Sequence, residues 1–141
     1  MDQFPFTEAE WNAVSDAGLQ ILNASYMEDL VLQASRLNEL LDVLAELRER
    51  YGDHPILLET EADFIDDDHE RIALYRQAVS TAETHNLATL SIRIALASVL
   101  IRLGEPTAAL RELLACEAEL SDADTGELEQ WAELKAQAET P

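Results

Sequence analysis

The stretch that decides the fold of this 141-residue chain is "RLGEPTAALRELLACEAEL", residues 102–120. Gly104 followed by Pro106 predicts that one helix ends and the next begins within a few residues. Glycine adopts the left-handed conformation of a tight reversal, and the fixed φ of proline suits the first turn of a helix. Ala109 is small enough to let two helices approach closely. The space between them would be filled by Leu110, Leu113 and Leu114, so the stretch predicts a helical hairpin built to stack on neighbours.

Elsewhere the chain shows hydrophobic residues at helical spacing, and no stretch alternates as a strand would. Capping patterns and a proline predict helix starts at Thr7–Glu10, Ser25–Glu28, Pro55 and Asp124–Glu127. The segment 88–103 is apolar on nearly all sides, which is typical of a helix buried between neighbours. We expect one all-α domain of about seven antiparallel helices: hairpins 7–51, 55–86 and 88–120, then a capping helix 124–139.

The chain carries 29 acidic and 9 basic side chains, for a net charge of −20. With 48% hydrophobic residues the composition is nevertheless that of a globular protein. A surface this acidic repels phosphate backbones and anionic lipids, which argues against nucleic-acid or membrane binding. Two explanations of the charge stay open. It serves solubility alone, or it attracts a protein partner rich in Lys and Arg.

Several features indicate a reduced, cytoplasmic protein. The start "MDQFPFTEAEW" has neither the basic nor the apolar region of a signal peptide. The longest apolar run, "IALASVLI" at 94–101, is far shorter than the roughly 20 residues that span a bilayer. Cys116 is the only cysteine, so no intrachain disulfide can form.

Residues 90–123 resemble the tetratricopeptide repeat, a pair of antiparallel helices with small residues where the helices cross. In this resemblance the turn glycine is Gly104, and the small or leucine positions are Leu96, Ala97, Ala109 and Cys116. The stretch "DDDHERIALYRQAVSTAE", 66–83, is similar to the end of another repeat. There Asp66 would stand in place of the turn glycine, and the first small position would be occupied by either Arg71 or Ala73.

The resemblance implies a right-handed superhelix whose concave face is formed by the first helix of each pair and binds proteins. The side chains expected on that face are Thr60, Asp63, Phe64, Ser91, Ser98 and Arg102. None is a lysine, so the resemblance to repeats that clamp a C-terminal carboxylate does not extend to this groove.

One acidic run, "FIDDDHE" at 64–70, has the residue types of a metal site. It lacks the ligand spacing of a calcium loop, and acidic residues are common at a helix N-terminus. We therefore expect a solvated acidic patch, formed by Asp66, Asp67, Asp68 and Glu70, and no metal.

No nucleophile or cofactor motif is recognisable in the sequence. His54 and His85 are expected at the surface or as helix caps, and Cys116 as a small buried residue. We therefore expect neither a cofactor nor enzymatic activity. A metal- or nucleotide-dependent enzyme is the alternative of a different class.

The sequence as a whole predicts a non-enzymatic, acidic adaptor that binds a protein, with Lys and Arg favoured in the partner. Two alternatives stay open: an immunity protein or antitoxin that neutralises a basic bacterial toxin, and a secretion chaperone. Trp11 and Trp131 are expected in the core or at the end caps of the stack. A contact between copies through an end helix is the other interpretation, so we expect a monomer or a weak homodimer.

Overall fold

The protein, described here over residues 1–140 by a computed structural model, is helical throughout, and no strand occurs in that range. The all-α prediction is confirmed. A 3₁₀ helix, Glu117–Asp122, separates the last two of seven α-helices. These are α1 (Glu8–Tyr26), α2 (Leu30–Tyr51), α3 (Pro55–Phe64), α4 (Asp68–Thr84), α5 (Leu90–Arg102), α6 (Pro106–Ala115) and α7 (Thr125–Glu139).

Consecutive helices pack as hairpins: α1 against α2, α3 against α4, and α5 against α6. Helix α5 also contacts α4 and α7, and α7 contacts α6. The apolar residues of α5 are accordingly among the most buried in the protein, with Leu96, Ala97 and Leu100 fully covered. None of the helices in the described range is long and apolar enough to cross a membrane.

The turn between α5 and α6 forms as the opening stretch predicts. Gly104 has a φ of +77°. The Gly104 N–H donates to the carbonyl of Ile101 (3.0 Å), and the Glu105 N–H donates to the carbonyl of Leu100 (2.9 Å). These two bonds form the Schellman pattern that satisfies the last carbonyls of a helix. Pro106 then begins α6, and Ala109 is fully buried against α5. Leu113 is buried as expected, but Leu114 does not fill the space between the helices, since it is 46% exposed.

Replacing Gly104 by valine should destabilise the fold by backbone strain alone. A Cβ at this position meets no atom within 4 Å, so no steric clash contributes. A β-branched residue in the left-handed region is strained by about 1–2 kcal/mol. Urea denaturation should show this loss for Gly104→Val and a smaller one for Gly104→Asn, because asparagine tolerates the conformation. An unchanged free energy of unfolding for Gly104→Val would contradict the turn.

Two local predictions are wrong. Ser25 does not begin a helix: α1 runs through Tyr26, and Asp29 caps α2 by accepting from the Leu32 N–H (3.0 Å). The link between them places Glu28 in the left-handed region at φ +54°.

Asp66 does not take the place of a turn glycine, because Gly104, Gly52, Glu28 and Asn86 are the residues with positive φ in the described range. The chain leaves α3 in an extended conformation instead.

Other helix starts agree with the sequence. Reciprocal capping boxes join Thr7 to Glu10 and Asp124 to Glu127, and Pro55 is the first residue of α3. Helix α6 is shorter than expected, since it ends at Ala115 and the chain continues as the 3₁₀ helix.

That 3₁₀ helix holds the start of α5 through Glu119. Thr89 precedes α5 and caps it with no side-chain bond of its own. The Glu119 carboxylate accepts from the backbone N–H of Thr89 (2.7 Å) and of Leu90 (3.1 Å), and from the Thr89 hydroxyl. A carboxylate from thirty residues away thus satisfies the free amides of the central helix.

Removing this carboxylate should cost roughly 1–3 kcal/mol, because buried amides lose their partners. Glu119→Ala should lower the urea midpoint accordingly, whereas Glu117→Ala, an exposed carboxylate of the same 3₁₀ helix, should change it little. Equal effects of the two variants would contradict the capping role.

The hydrophobic core has two parts. The larger one is formed by helices α3 to α7 and includes Leu58 and Tyr75. The smaller one joins the N-terminal segment to α1, α2 and α3, and includes Phe6, Leu44 and Leu57.

The helices around the smaller cluster differ greatly in length. Helices α1 and α2 have 19 and 22 residues, whereas α3 has 10. At 1.5 Å per residue, α1 and α2 extend for roughly 30 Å and α3 for roughly 15 Å. The far half of the α1–α2 hairpin therefore extends beyond the rest of the protein.

Candidate functional site

The six side chains expected on one concave face lie in different surroundings. Thr60 and Phe64 line a groove beside α1, and Ser91 lines a second cavity. Asp63 accepts a hydrogen bond from the Tyr75 hydroxyl. The other two side chains are the half-buried Ser98 and the exposed Arg102, which pairs with Asp68. The structure therefore brings Thr60 and Phe64 together and leaves Arg102 engaged elsewhere.

The groove between α1 and α3 has a volume of about 490 Å³ and is mainly apolar. Its lining from α1 repeats every three or four residues, so that one face of the helix forms the wall. The α3 side adds Thr60 and Phe64. Polar atoms enter through Ser15, Asp16 and Thr60, and the apolar lining consists of Trp11, Val14, Gly18, Leu19, Leu22 and Phe64.

The shape of the groove depends on a close approach at Gly18. The ring of Phe64 lies against the α1 backbone there, and a Cβ on Gly18 would come within 3.0 Å of the ring tip. Trp11, at the start of the lining on α1, is half-buried and packs on Phe4 and Phe6 with ring centroids 5.2 and 5.4 Å away. Two aromatic rings, those of Trp11 and Phe64, therefore line the groove.

Two leucines of the lining, Leu19 and Leu22, are not among the predicted site residues, although they are 53% and 55% exposed. The sequence gives no signal of this exposure, because both leucines lie within a helical pattern of apolar residues. The expectation for the tryptophans holds for Trp131, which is buried and donates its indole N–H to the Leu113 carbonyl (2.9 Å).

The carboxyl group of Glu59, on α3, has a raised pKa. Burial raises the pKa of Glu59 to about 7. The nearby Ser91 hydroxyl opposes the shift, and the negative charges of Asp63 and Glu127 add to it. Asp63 of α3 and Glu127 of α7 therefore form one acidic surface around Glu59, to which α5 contributes the Ser91 hydroxyl. The only hint in the sequence was an acid within the apolar segment "PILLETEADF".

The raised pKa makes Glu59 a source of pH-dependent stability. The folded protein holds the proton up to about pH 7, whereas the unfolded chain loses it near pH 4.5. The folded state thus binds more protons in this window, and its free energy of unfolding falls as the pH rises from 4.5 to above 7. At a half-buried position we expect a loss of about 1–3 kcal/mol.

Glu59→Gln should remove this dependence. Urea denaturation between pH 5 and 8 should show the variant gaining stability over the unsubstituted protein as the pH rises. Glu129→Gln, which neutralises an exposed carboxylate on α7, is the matched control. A constant difference across the pH range would contradict the shift.

The acidic run at 66–70 is partly neutralised within the chain. Asp67 caps α4 by accepting from the Glu70 N–H (2.9 Å). Asp68 pairs with Arg102, and with Arg71 at 3.8 Å, which lowers its pKa. Asp66 is exposed. The four expected patch residues therefore divide into one helix cap, one paired carboxylate and two solvated ones.

Arg71, which the repeat alignment could place where the helices approach most closely, instead joins α3 to α4. Its Nε donates to the Ala62 carbonyl (3.1 Å), and its guanidinium lies 5.9 Å from the centre of the Tyr75 ring. Tyr75 in turn donates to Asp63, which together with burial raises the pKa of the phenol. Asp63, expected on the concave face, is therefore hydrogen-bonded within its own hairpin to Tyr75 of α4.

The second cavity, of about 760 Å³, lies where the α4–α5 link meets the 3₁₀ helix and the start of α7. Four of its five charged side chains have partners, Glu127 in the capping box of α7, and the fifth, Asp122, is exposed. Arg93 pairs with Glu83 and with Glu112 (3.3 Å), and Glu119 caps α5. Within residues 1–140, no three His, Cys, Asp or Glu side chains are grouped so that they could hold a metal ion.

The residues with nucleophilic or acid–base potential serve the fold. Burial raises the pKa of the Cys116 thiol to about 11, and the thiol donates to the Leu113 carbonyl (3.4 Å). The sequence predicts His54 either at the surface or as a helix cap. It is buried, and it caps α3. Its Nδ1 accepts from the Ile56 N–H (3.2 Å), and its Nε2 lies 2.8 Å from the Asp2 carbonyl oxygen.

Comparison of the chain with protein-family models, with curated proteins and with solved structures finds no match. The groove and the acidic surface are therefore interpreted from their own chemistry.

Proposed function

We propose that this protein is a non-enzymatic binding module that takes an apolar segment of a partner protein, flanked by Lys or Arg, into the α1–α3 groove. The observation that supports this most directly is the groove itself. It combines an apolar lining, accessible Leu19 and Leu22 side chains, and the carboxylate of Asp16.

The apolar lining favours a segment that inserts side chains. Its volume lies within the range of roughly 300–1,000 Å³ that is usual for ligand clefts. Trp11 and Phe64 provide flat aromatic surfaces, and Leu22 adds an accessible apolar side chain. An amphipathic helix that places two or three apolar side chains on one face fits such a groove.

The charge distribution favours a basic partner. Within residues 1–140, seven of the nine basic side chains form ion pairs in the chain, the two others being Arg76 and Arg111. The net charge of −20 therefore faces solvent with few free cations to offset it. Asp16 lies in the groove, so a Lys or Arg next to the apolar anchors would meet its carboxylate. Attraction of this kind acts mainly on the rate of association.

We also propose that the helical hairpins form a tetratricopeptide-like superhelix. Its support is the stacking of α3–α4 and α5–α6, the left-handed Gly104 and the burial of Ala109 and Cys116 at the crossing points. A groove that holds a segment suits an adaptor or a chaperone better than an inhibitor, which has to cover the surface of a folded toxin.

A designed peptide tests the groove directly. The probe is a labelled helical peptide with leucine on one face and arginine on the other. We expect it to bind, and we expect Leu22→Asp to weaken binding at least tenfold, because the groove would then present a charge to the leucines. Leu114→Asp, which adds the same charge at an exposed leucine on α6, should leave binding nearly unchanged.

Two further experiments vary the salt concentration and the charge of the peptide, and the association rate is measured by stopped-flow fluorescence. Raising the salt from about 0.05 to 0.5 M shortens the screening length from roughly 14 to 4 Å and should slow association markedly. A peptide with glutamate in place of arginine should not bind. Equal binding of both peptides, or equal binding to the Leu22→Asp variant, would overturn the proposal.

A further inference from the structure

The far end of the α1–α2 hairpin carries a concentrated group of exposed apolar side chains. We call these six residues the tip patch: Leu19, Leu22, Tyr26, Met27, Leu30 and Val31. Each is between 53% and 91% exposed. On α1, Leu19, Leu22 and Tyr26 follow one another at intervals of three and four residues and so share one face. The remaining three follow in the link and the first turn of α2.

The patch is uncovered because its neighbour is short. Helix α3 ends at Phe64, whose ring meets α1 at Gly18. The eight residues of α1 beyond Gly18 extend for about 12 Å, and within residues 1–140 the helix packed closely against α1 is α2. The chain therefore builds two full turns of helix whose outer apolar face has no partner within the protein.

The exposed area equals that of a protein interface. At ordinary side-chain areas, the six exposed fractions amount to roughly 900 Å². A stable interface of standard size needs about 800 Å² from each partner. Soluble monomers seldom leave a patch of this size exposed without a use for it.

Charge identifies which partner can approach. Between residues 19 and 37 the sequence contains two acidic side chains, Glu28 and Asp29, and one basic side chain, Arg36. Nearly all of the net charge of −20 lies elsewhere. A second, equally acidic copy of this chain is repelled by the rest of the surface but meets little repulsion at the tip. A basic partner, by contrast, would gain nothing from the region of lowest charge.

We propose that a second copy of this chain covers the tip patch, so that two hairpins pack tip against tip around a twofold axis. The contact is isologous, since the same patch serves both copies. It orders little new structure, because the patch already lies on folded helices. The copies meet through apolar side chains while their acidic bodies point apart.

The salt dependence separates this proposal from the groove function. Screening weakens the repulsion between two chains of charge −20, so the dimer should tighten as salt is added. Binding of a basic peptide in the groove should weaken under the same change. Leu19 and Leu22 belong to both surfaces, so the dimer and the peptide should compete, and a variant changed only at Tyr26 and Val31 separates the two proposals because neither residue lines the groove.

Sedimentation equilibrium on the full chain provides the test. We expect a dimer with a Kd on the order of 1–100 µM, at least tenfold tighter in 0.5 M than in 0.05 M NaCl. The double variant Tyr26→Glu/Val31→Glu replaces two patch residues outside the groove lining and should loosen the dimer at least a hundredfold. Circular dichroism should show that it remains folded, since both side chains are exposed.

The control Leu114→Glu/Leu128→Glu adds the same charge at exposed leucines outside the patch and should leave the dimer within threefold of the original Kd. A protein that stays monomeric to about 500 µM in 0.5 M NaCl would overturn the proposal. So would a dimer that survives the tip substitutions, or one that the control pair disrupts equally.

A cross-link offers a measurement independent of added charge. Cys116 is buried, so a cysteine placed at residue 31 is the accessible thiol of the folded chain. Oxidised Val31→Cys should form covalent dimers at micromolar concentration, and Leu114→Cys should not. Equal yields from the two variants would count against the tip contact.

Discussion

The requirement to cover helix α5 on every side organises most of this protein. Its apolar side chains point in nearly all directions, and α4, α6 and α7 each cover part of them. Polar groups at the edges then have to be satisfied from those neighbours. Glu119 reaches back to the start of α5, and Trp131 of α7 donates to a carbonyl of α6. Removing any one of these helices would expose apolar surface of α5, and removing Glu119 would leave the Thr89 and Leu90 amides without a partner.

Much of this arrangement could be predicted because it follows from local rules. Gly104 and Pro106 occupy positions that few other residues tolerate, and the two capping boxes combine a side-chain pair with a helical stripe. Ser25 shows the limit of such rules. It has the same spacing to Glu28 as a capping pair, but Ala24 is buried against α2 and holds Ser25 within the last turn of α1. Local pattern cannot reveal that packing selects Asp29 instead.

The candidate site was less predictable because exposure depends on the lengths of neighbouring helices. Thr60 and Phe64 share a groove, but its other wall is α1 and not the first helix of the next hairpin. That Leu19 and Leu22 remain exposed follows from the early end of α3, which no property of α1 indicates. The raised pKa of Glu59 likewise arises from burial next to α5 and α7, far along the chain. Spatial neighbours set both features, so one segment of sequence does not contain them.

The division of the core at α3 has a consequence for cooperativity. Leu57 belongs to the smaller cluster and the adjacent Leu58 to the larger one, so this one short helix is shared by both. Contacts between α2 and α3 are sparse compared with those inside each hairpin. The α1–α2 hairpin can therefore open as a unit while α3 to α7 stay folded, in the manner of a foldon. Its amides would then exchange with solvent at a lower free energy than those of α5, and a ligand held between α1 and α3 would join the two units into one.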